Sequence, residues 1–92
     1  MVKVSGTITK GKRHYFSIIA EILAYAVDGA LKTQLMYNAN LSYAQLKNFI
    51  SMLSRLRLLE TTTDGKKIIY KTTEKGKRFL SRYEELNRLL ED

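Results

Sequence analysis

A mostly helical α+β fold, with three helices, a β-hairpin and a fourth, C-terminal amphipathic helix, is predicted from three observations. Apolar residues recur at helical spacing in four separate segments. Two β-favouring runs flank Asp64-Gly65, a strong hairpin signal, between the third segment and the fourth. Asn38-Ala39-Asn40-Leu41, whose asparagines accept left-handed backbone, places a three- to four-residue turn between a short helical segment and a longer one, which is helix-turn-helix spacing. The 92 residues, 45% of them apolar, suffice for one core and leave little for a second. The expected divisions are a basic arm at 1–13, a helical domain with its hairpin at 14–72, and the last helix at 73–92.

Residues 1–11 alternate loosely around Val2, Val4 and Ile8 and lead into Lys10, Lys12 and Arg13. Such an arm either has no role or lies along a phosphate backbone or in a minor groove, with Lys12 and Arg13 as its contacts. From His14 to Val27, the residues Tyr15, Ile18, Ile19, Ile22, Leu23 and Ala26 keep one apolar face, and Phe16, Ala20 and Val27 widen it. This first helix is expected at the centre of the core and to end at Asp28-Gly29. His14 is expected as a surface or capping residue. Ala30 to Asn38 is a second, short helix with Leu31, Leu35 and Met36 apolar and Thr33 available as a cap.

The stretch from Ser42 to Glu60 is the one around which the chain is organised, and a helix over 42–58 is expected within it. Ser42 and Gln45 form a capping-box pattern at its start. At 100° per residue, Tyr43, Leu46, Phe49, Ile50, Leu53 and Leu56 make an apolar stripe, while Ala44, Lys47, Asn48, Ser51 and Arg55 lie opposite. That second face is small, polar and cationic, as a helix entering a DNA groove needs, although a solvated helix back has the same pattern.

Leu59 to Lys71 is expected as a hairpin closed by Asp64-Gly65, with Thr63 facing Lys66, Thr62 facing Lys67, Thr61 facing Ile68 and Leu59 facing Tyr70. Lys66 and Lys67 either blunt an edge strand or touch phosphate. Thr73 caps the last helix, with Glu74 at its positive end. Glu74–Arg78 and Glu84–Arg88 are expected as i, i+4 pairs. Phe79, Tyr83, Leu86 and Leu90 form a seam two heptads long, with Leu80 and Leu89 on its shoulders. Its upper part can cover the domain, whereas Leu86 to Leu90 extends beyond it and favours a homodimer.

Sixteen Lys and Arg against nine Asp and Glu give a net charge of +7, which attracts polyanions, nucleic acid first among them. No apolar run approaches the ~18 residues of a membrane span, and no charged start leads into an apolar, cleavable segment, so a cytoplasmic protein is expected. With no Cys and one His, disulfides, thiolate metal sites and histidine clusters are excluded, and no cofactor or metal is expected. The acidic residues are scattered, with no nucleophile–base pair and no phosphate-cradling glycine loop, so an enzyme is not expected.

The segments IIAEIL (Ile18 to Leu23), KTQLMYNANLSYAQLKNFISML (Lys32 to Leu53) and TEKGKRFLSRYEEL (Thr73 to Leu86) resemble the small archaeal winged helix-turn-helix proteins. That group includes transcriptional regulators and basic chromosomal proteins that dimerise through a C-terminal helix. The resemblance covers about eighty residues, and the MYNANLSY core is its specific part. It implies DNA binding by Ser42, Tyr43, Lys47, Asn48, Ser51 and Arg55, with the wing at Lys66 and Lys67. Thr72 departs from the pattern, which carries an apolar residue there, and implies different packing between wing and helix.

The function expected is therefore double-stranded DNA binding by a homodimeric, nucleoid-associated transcriptional regulator with no small-molecule partner evident. Helix 42–58 lies in the major groove and hairpin 59–71 on the flanking backbone. Two alternatives remain open: an architectural protein without base selection, and a winged-helix module that binds protein. An RNA target lacks the exposed aromatic array on a sheet that stacks single-stranded bases.

Overall fold

The computed structural model describes residues 15–91, so the basic arm with Lys12 and Arg13, and His14, lie outside the described residues. The order is α1 (Tyr15–Tyr25), α2 (Lys32–Asn38), α3 (Tyr43–Arg55), β1 (Leu59–Asp64), β2 (Lys67–Thr72) and α4 (Glu74–Leu90). The largest fully buried side chains are Ile22 and Leu23 of α1, Leu35 of α2, and Leu46 and Leu53 of α3, so one core holds the three helices together. Leu58, Leu59 and Tyr70 close it at the root of the hairpin.

α1 is central, as its apolar spacing predicts, but only its inner face is covered. Ile19, Ala20, Ile22, Leu23 and Ala26 are buried, while Tyr15 and Phe16 remain about half exposed. The helix stops at Tyr25 rather than Val27 because the chain turns early: Gly29 N–H donates to the Ala26 carbonyl at 3.0 Å, and Gly29 takes φ +97°. A Cβ at Gly29 would sit 3.1 Å from Ile69 Cγ2, so turn and wing pack closely there.

Ala30 is not helical. Its N–H and carbonyl exchange 2.9 Å hydrogen bonds with Tyr70, a bridge that partly covers the free edge of β2. α2 therefore starts two residues later than expected, with Leu31 at its N-cap donating N–H to Gln34 Oε1 at 2.9 Å, and Thr33 lies inside the helix instead of capping it. Asn40 takes the left-handed conformation, φ 55°, that its residue type allows in the turn to α3.

α3 ends at Arg55, short of the expected Leu58. Leu58 N–H reaches back to the Leu53 carbonyl at 2.8 Å and Arg57 N–H to Ser54 at 3.0 Å, with Arg57 at φ 64°. This pattern terminates a helix and leaves Leu58 and Leu59 free to bury at the hairpin root. The early stop also frees Leu56 from the apolar stripe; it is 44% exposed.

The hairpin register differs from the expected one by two residues. Its pairs are Leu59 with Thr72, Thr61 with Tyr70, Thr62 with Ile69, Thr63 with Ile68 and Asp64 with Lys67, so the turn is Gly65-Lys66. Gly65 at φ 65° occupies the first turn position, where a two-residue hairpin of this kind takes glycine. A shift of two keeps every side chain on its expected face, but Thr61 and Ile68 lie too far out along the wing to reach the core.

Thr73 caps α4 as expected, accepting from Gly76 N–H at 3.0 Å. Thr72, the departure from the family pattern, is buried and donates to the Leu23 carbonyl at 2.6 Å, tying the wing root to α1. Gly76 allows this junction: a Cβ there would run into the Leu58 carbonyl oxygen and Thr72 Cγ2. The ion pairs on α4 are Glu74–Lys77 at 3.3 Å and Arg82–Glu85 at 3.8 Å, three residues apart, in place of the expected i, i+4 pairs.

Candidate nucleic-acid interface

Every contact position singled out on α3 and its cap is exposed: Ser42 and Tyr43 at the helix start, and Ala44, Lys47, Asn48, Ser51 and Arg55 on the side away from the core. The start of the helix is held by a reciprocal cap, with Gln45 N–H donating to Ser42 Oγ at 3.2 Å and Ser42 N–H to Gln45 Oε1 at 2.9 Å. That cap uses the Gln45 and Ser42 amides and leaves those of Tyr43 and Ala44 at the positive end of the helix without intrahelical partners. Neither Lys47 nor Arg55 forms an ion pair among the described residues, so both charges are available to a ligand.

Tyr43 carries a double expectation, as part of the apolar stripe and as a contact residue, and the structure leaves it outside the core. Its ring is 53% exposed and lies under the Lys32 ammonium, 5.0 Å from the ring centroid. Lys32 is thus part of the same surface although sequence reasoning passed over it; a cation at the first residue of α2, beside a helix-turn-helix, was the available signal. Tyr37, near the end of α2, is 82% exposed.

Lys66 and Lys67 project from the wing tip, both exposed. An open groove between the wing and the α1–α2 turn is lined by Asp28, Gln34, Asp64 and Lys67 among others, so charges of both signs meet at its rim.

The residues chosen for dimerisation divide along α4. Phe79 packs against the core cluster and stacks on Tyr83 at 6.2 Å between centroids, with Phe16 6.5 Å from Phe79. Leu80 also reaches the core. Farther along, Leu86 is 52% and Leu89 79% exposed, while Leu90 is half-buried.

The winged helix-turn-helix family model matches residues 12–91, nearly the whole chain. The chain belongs to the winged helix-turn-helix family. An uncharacterized protein of Methanocaldococcus jannaschii is 36% identical over 89 residues, which is 96% of this chain and 40% of that relative's length. Among solved winged-helix structures, the DNA-binding protein Sso10a-2 of Sulfolobus solfataricus is similar with a TM-score of 0.73 and 26% identity, over 84% of this chain and 81% of that one. A variant of MepR from S. aureus, bound to an oligodeoxyribonucleotide, shares the fold with a TM-score of 0.67 and 14% identity, over 97% and 72% of the two chains. Among the described residues no helix is long and apolar enough to cross a membrane, and no cluster of His, Cys, Asp or Glu could hold a metal.

Proposed function

We propose that this chain is a non-enzymatic, double-stranded DNA-binding protein of the cytoplasm that acts as a homodimeric transcriptional regulator. The observation that carries this reading is the outer face of α3, where Lys47, Asn48, Ser51 and Arg55 stand exposed on a helix whose other face is locked into the core. Membership in the winged helix-turn-helix family and the likeness to a DNA-binding protein support it.

In this reading α3 enters a major groove. The Asn48 amide pairs with adenine, and Lys47 or Arg55 reads guanine or grips phosphate. Ser42 and the free amides beside it hold a phosphate at the helix start, and Lys66 and Lys67 reach the flanking backbone from the wing. Tyr43, with Lys32 over its ring, sets the edge of the contact.

Dimerisation belongs to the outer part of α4. Leu86 and Leu89 are exposed there, and charge along the helix is divided. The early half carries Lys75, Lys77, Arg78 and Arg82 with Glu74, and the late half with its cap carries Glu84, Glu85 and Glu91 with Arg88. Two recognition helices then meet successive major grooves about 34 Å apart if the half-sites lie one turn apart.

The test is to mix the protein with sheared genomic DNA at roughly 150 mM salt, a level that screens nonspecific contacts, and to sequence what it retains. Discrete inverted repeats support a dimeric regulator. Uniform recovery makes the protein architectural, and no recovery refutes DNA binding.

A further inference from the structure

The junction where α3 ends and α4 begins carries a second concentration of positive charge, which adjoins the surface described above at Arg55. Arg55 is the last residue of α3, Arg57 lies two residues on, and Lys75 of α4 crosses to the α3 terminus, its Nζ donating to the Leu56 carbonyl at 2.8 Å. Lys75, Arg78 and Arg82 follow one another along one stripe of α4 at three- and four-residue spacing. All five are exposed. Of the acidic groups on the neighbouring elements, Glu74 pairs with Lys77 and Glu85 with Arg82, while Glu60, opposite Lys71 in the hairpin, has no ion pair among the described residues. Arg55, Arg57 and Arg78 have no ion pair among the described residues.

Part of this charge has a structural account. Arg55 and Lys75 both suit the negative end of α3. Arg57 has no such account. It stands at the left-handed position, φ 64°, that terminates the helix, where glycine is the usual residue and a side chain is disfavoured. Its backbone is pinned there, because Thr73 Oγ1 donates to the Arg57 carbonyl at 2.6 Å and Arg57 N–H bonds Ser54. A disfavoured backbone at an exposed, unpaired arginine points to a role for its side chain.

We propose that Arg57, Lys75 and Arg78 form a second phosphate-binding surface, which takes the backbone of a DNA segment other than the one held by α3 and the wing tip. The proposal rests on the DNA-binding reading. The two guanidinium groups meet phosphate oxygens in pairs; carboxylates offer the same geometry, and the DNA-binding reading decides for phosphate. Position favours a separate segment. The corner is about 20 Å from the α3 N-terminus at 1.5 Å per residue, and roughly as far from the wing tip, since it lies at the root of six-residue strands. One protomer then joins two stretches of duplex.

The test uses the full chain, duplex DNA fixed on beads, and a labelled free duplex at low salt. The wild type should retain the protein on the beads and capture the free duplex. Arg57→Gly should keep the affinity for a single duplex within about twofold and lower capture at least about tenfold, the loss of one phosphate contact at low salt. It should melt no lower than the wild type, because glycine relieves the left-handed backbone. Arg78→Ala, at an exposed site away from the helix terminus, should reduce capture without altering the fold. Undiminished capture by the double variant overturns the proposal, as does a wild type that binds one duplex and never a second. Unchanged capture with weakened self-association of the protein assigns the corner to a protein partner instead. Failure of the wild type to bind any duplex refutes the DNA-binding reading itself, and the proposal with it.

Discussion

Thr72 and Gly76 show how single residues set the position of the wing. The buried Thr72 hydroxyl donates to the end of α1, and Gly76 leaves room for the Leu58 carbonyl and the Thr72 methyl to meet α4. Thr72→Val keeps the volume and removes the donor, and should destabilise by about 1–3 kcal/mol, measured by urea denaturation. Gly76→Ala forces a methyl against a backbone carbonyl that cannot swing aside, and should cost roughly 1–3 kcal/mol or more. An unchanged denaturation midpoint in either variant would show that this junction is looser than described. Thr72 was visible in the sequence as a departure from the family pattern, but the carbonyl it serves is 49 residues away. No local pattern could identify that partner.

At the scale of elements, the roles proposed for the wing and α4 can be tested separately. Lys67→Ala should weaken binding to all DNA alike and lower the slope of log affinity against log salt by about one; no change in slope would leave Lys67 only guarding the strand edge. Replacing Leu86 and Leu89 by Glu should leave the domain folded and shift sedimentation at micromolar concentration from dimer to monomer, and a wild type that is already monomeric would sink the dimer. Helical periodicity, the Ser42 and Thr73 caps and the Asn40 turn were all legible, because each depends on residues within one turn of one another. The misplaced details depend on tertiary demands. α3 stops at Arg55 because Leu58 and Leu59 must reach the core, and Ala30 leaves α2 because Tyr70 needs a backbone partner. The hairpin could close around Asp64-Gly65 or Gly65-Lys66 with the same faces inward, so alternation could not choose between them. Tyr43 and Leu56 fit the apolar stripe on a helical wheel, but they lie at the two ends of α3, where the neighbouring elements no longer cover it.

For the whole molecule, one core fixes α1, α2 and the inner face of α3, and this leaves the outer face of α3 as a rigid, presented surface. The polar residues there were legible as a face, while Lys32 joined them only through folding, which brings the start of α2 over the Tyr43 ring. The net charge of +7 explains attraction to polyanions but carries no information about base sequence. In the proposed function, base sequence is read by the face of α3, and Asn48 is the side chain there best suited to pair with a base in two places. The most direct measurement is the affinity of Asn48→Ala for a genomic site that the wild type retains, set beside its affinity for random duplex of equal length. The account predicts a loss on the order of 1–3 kcal/mol on the retained site and little change on random DNA. Equal losses on both duplexes, or none on either, would contradict a recognition role for α3.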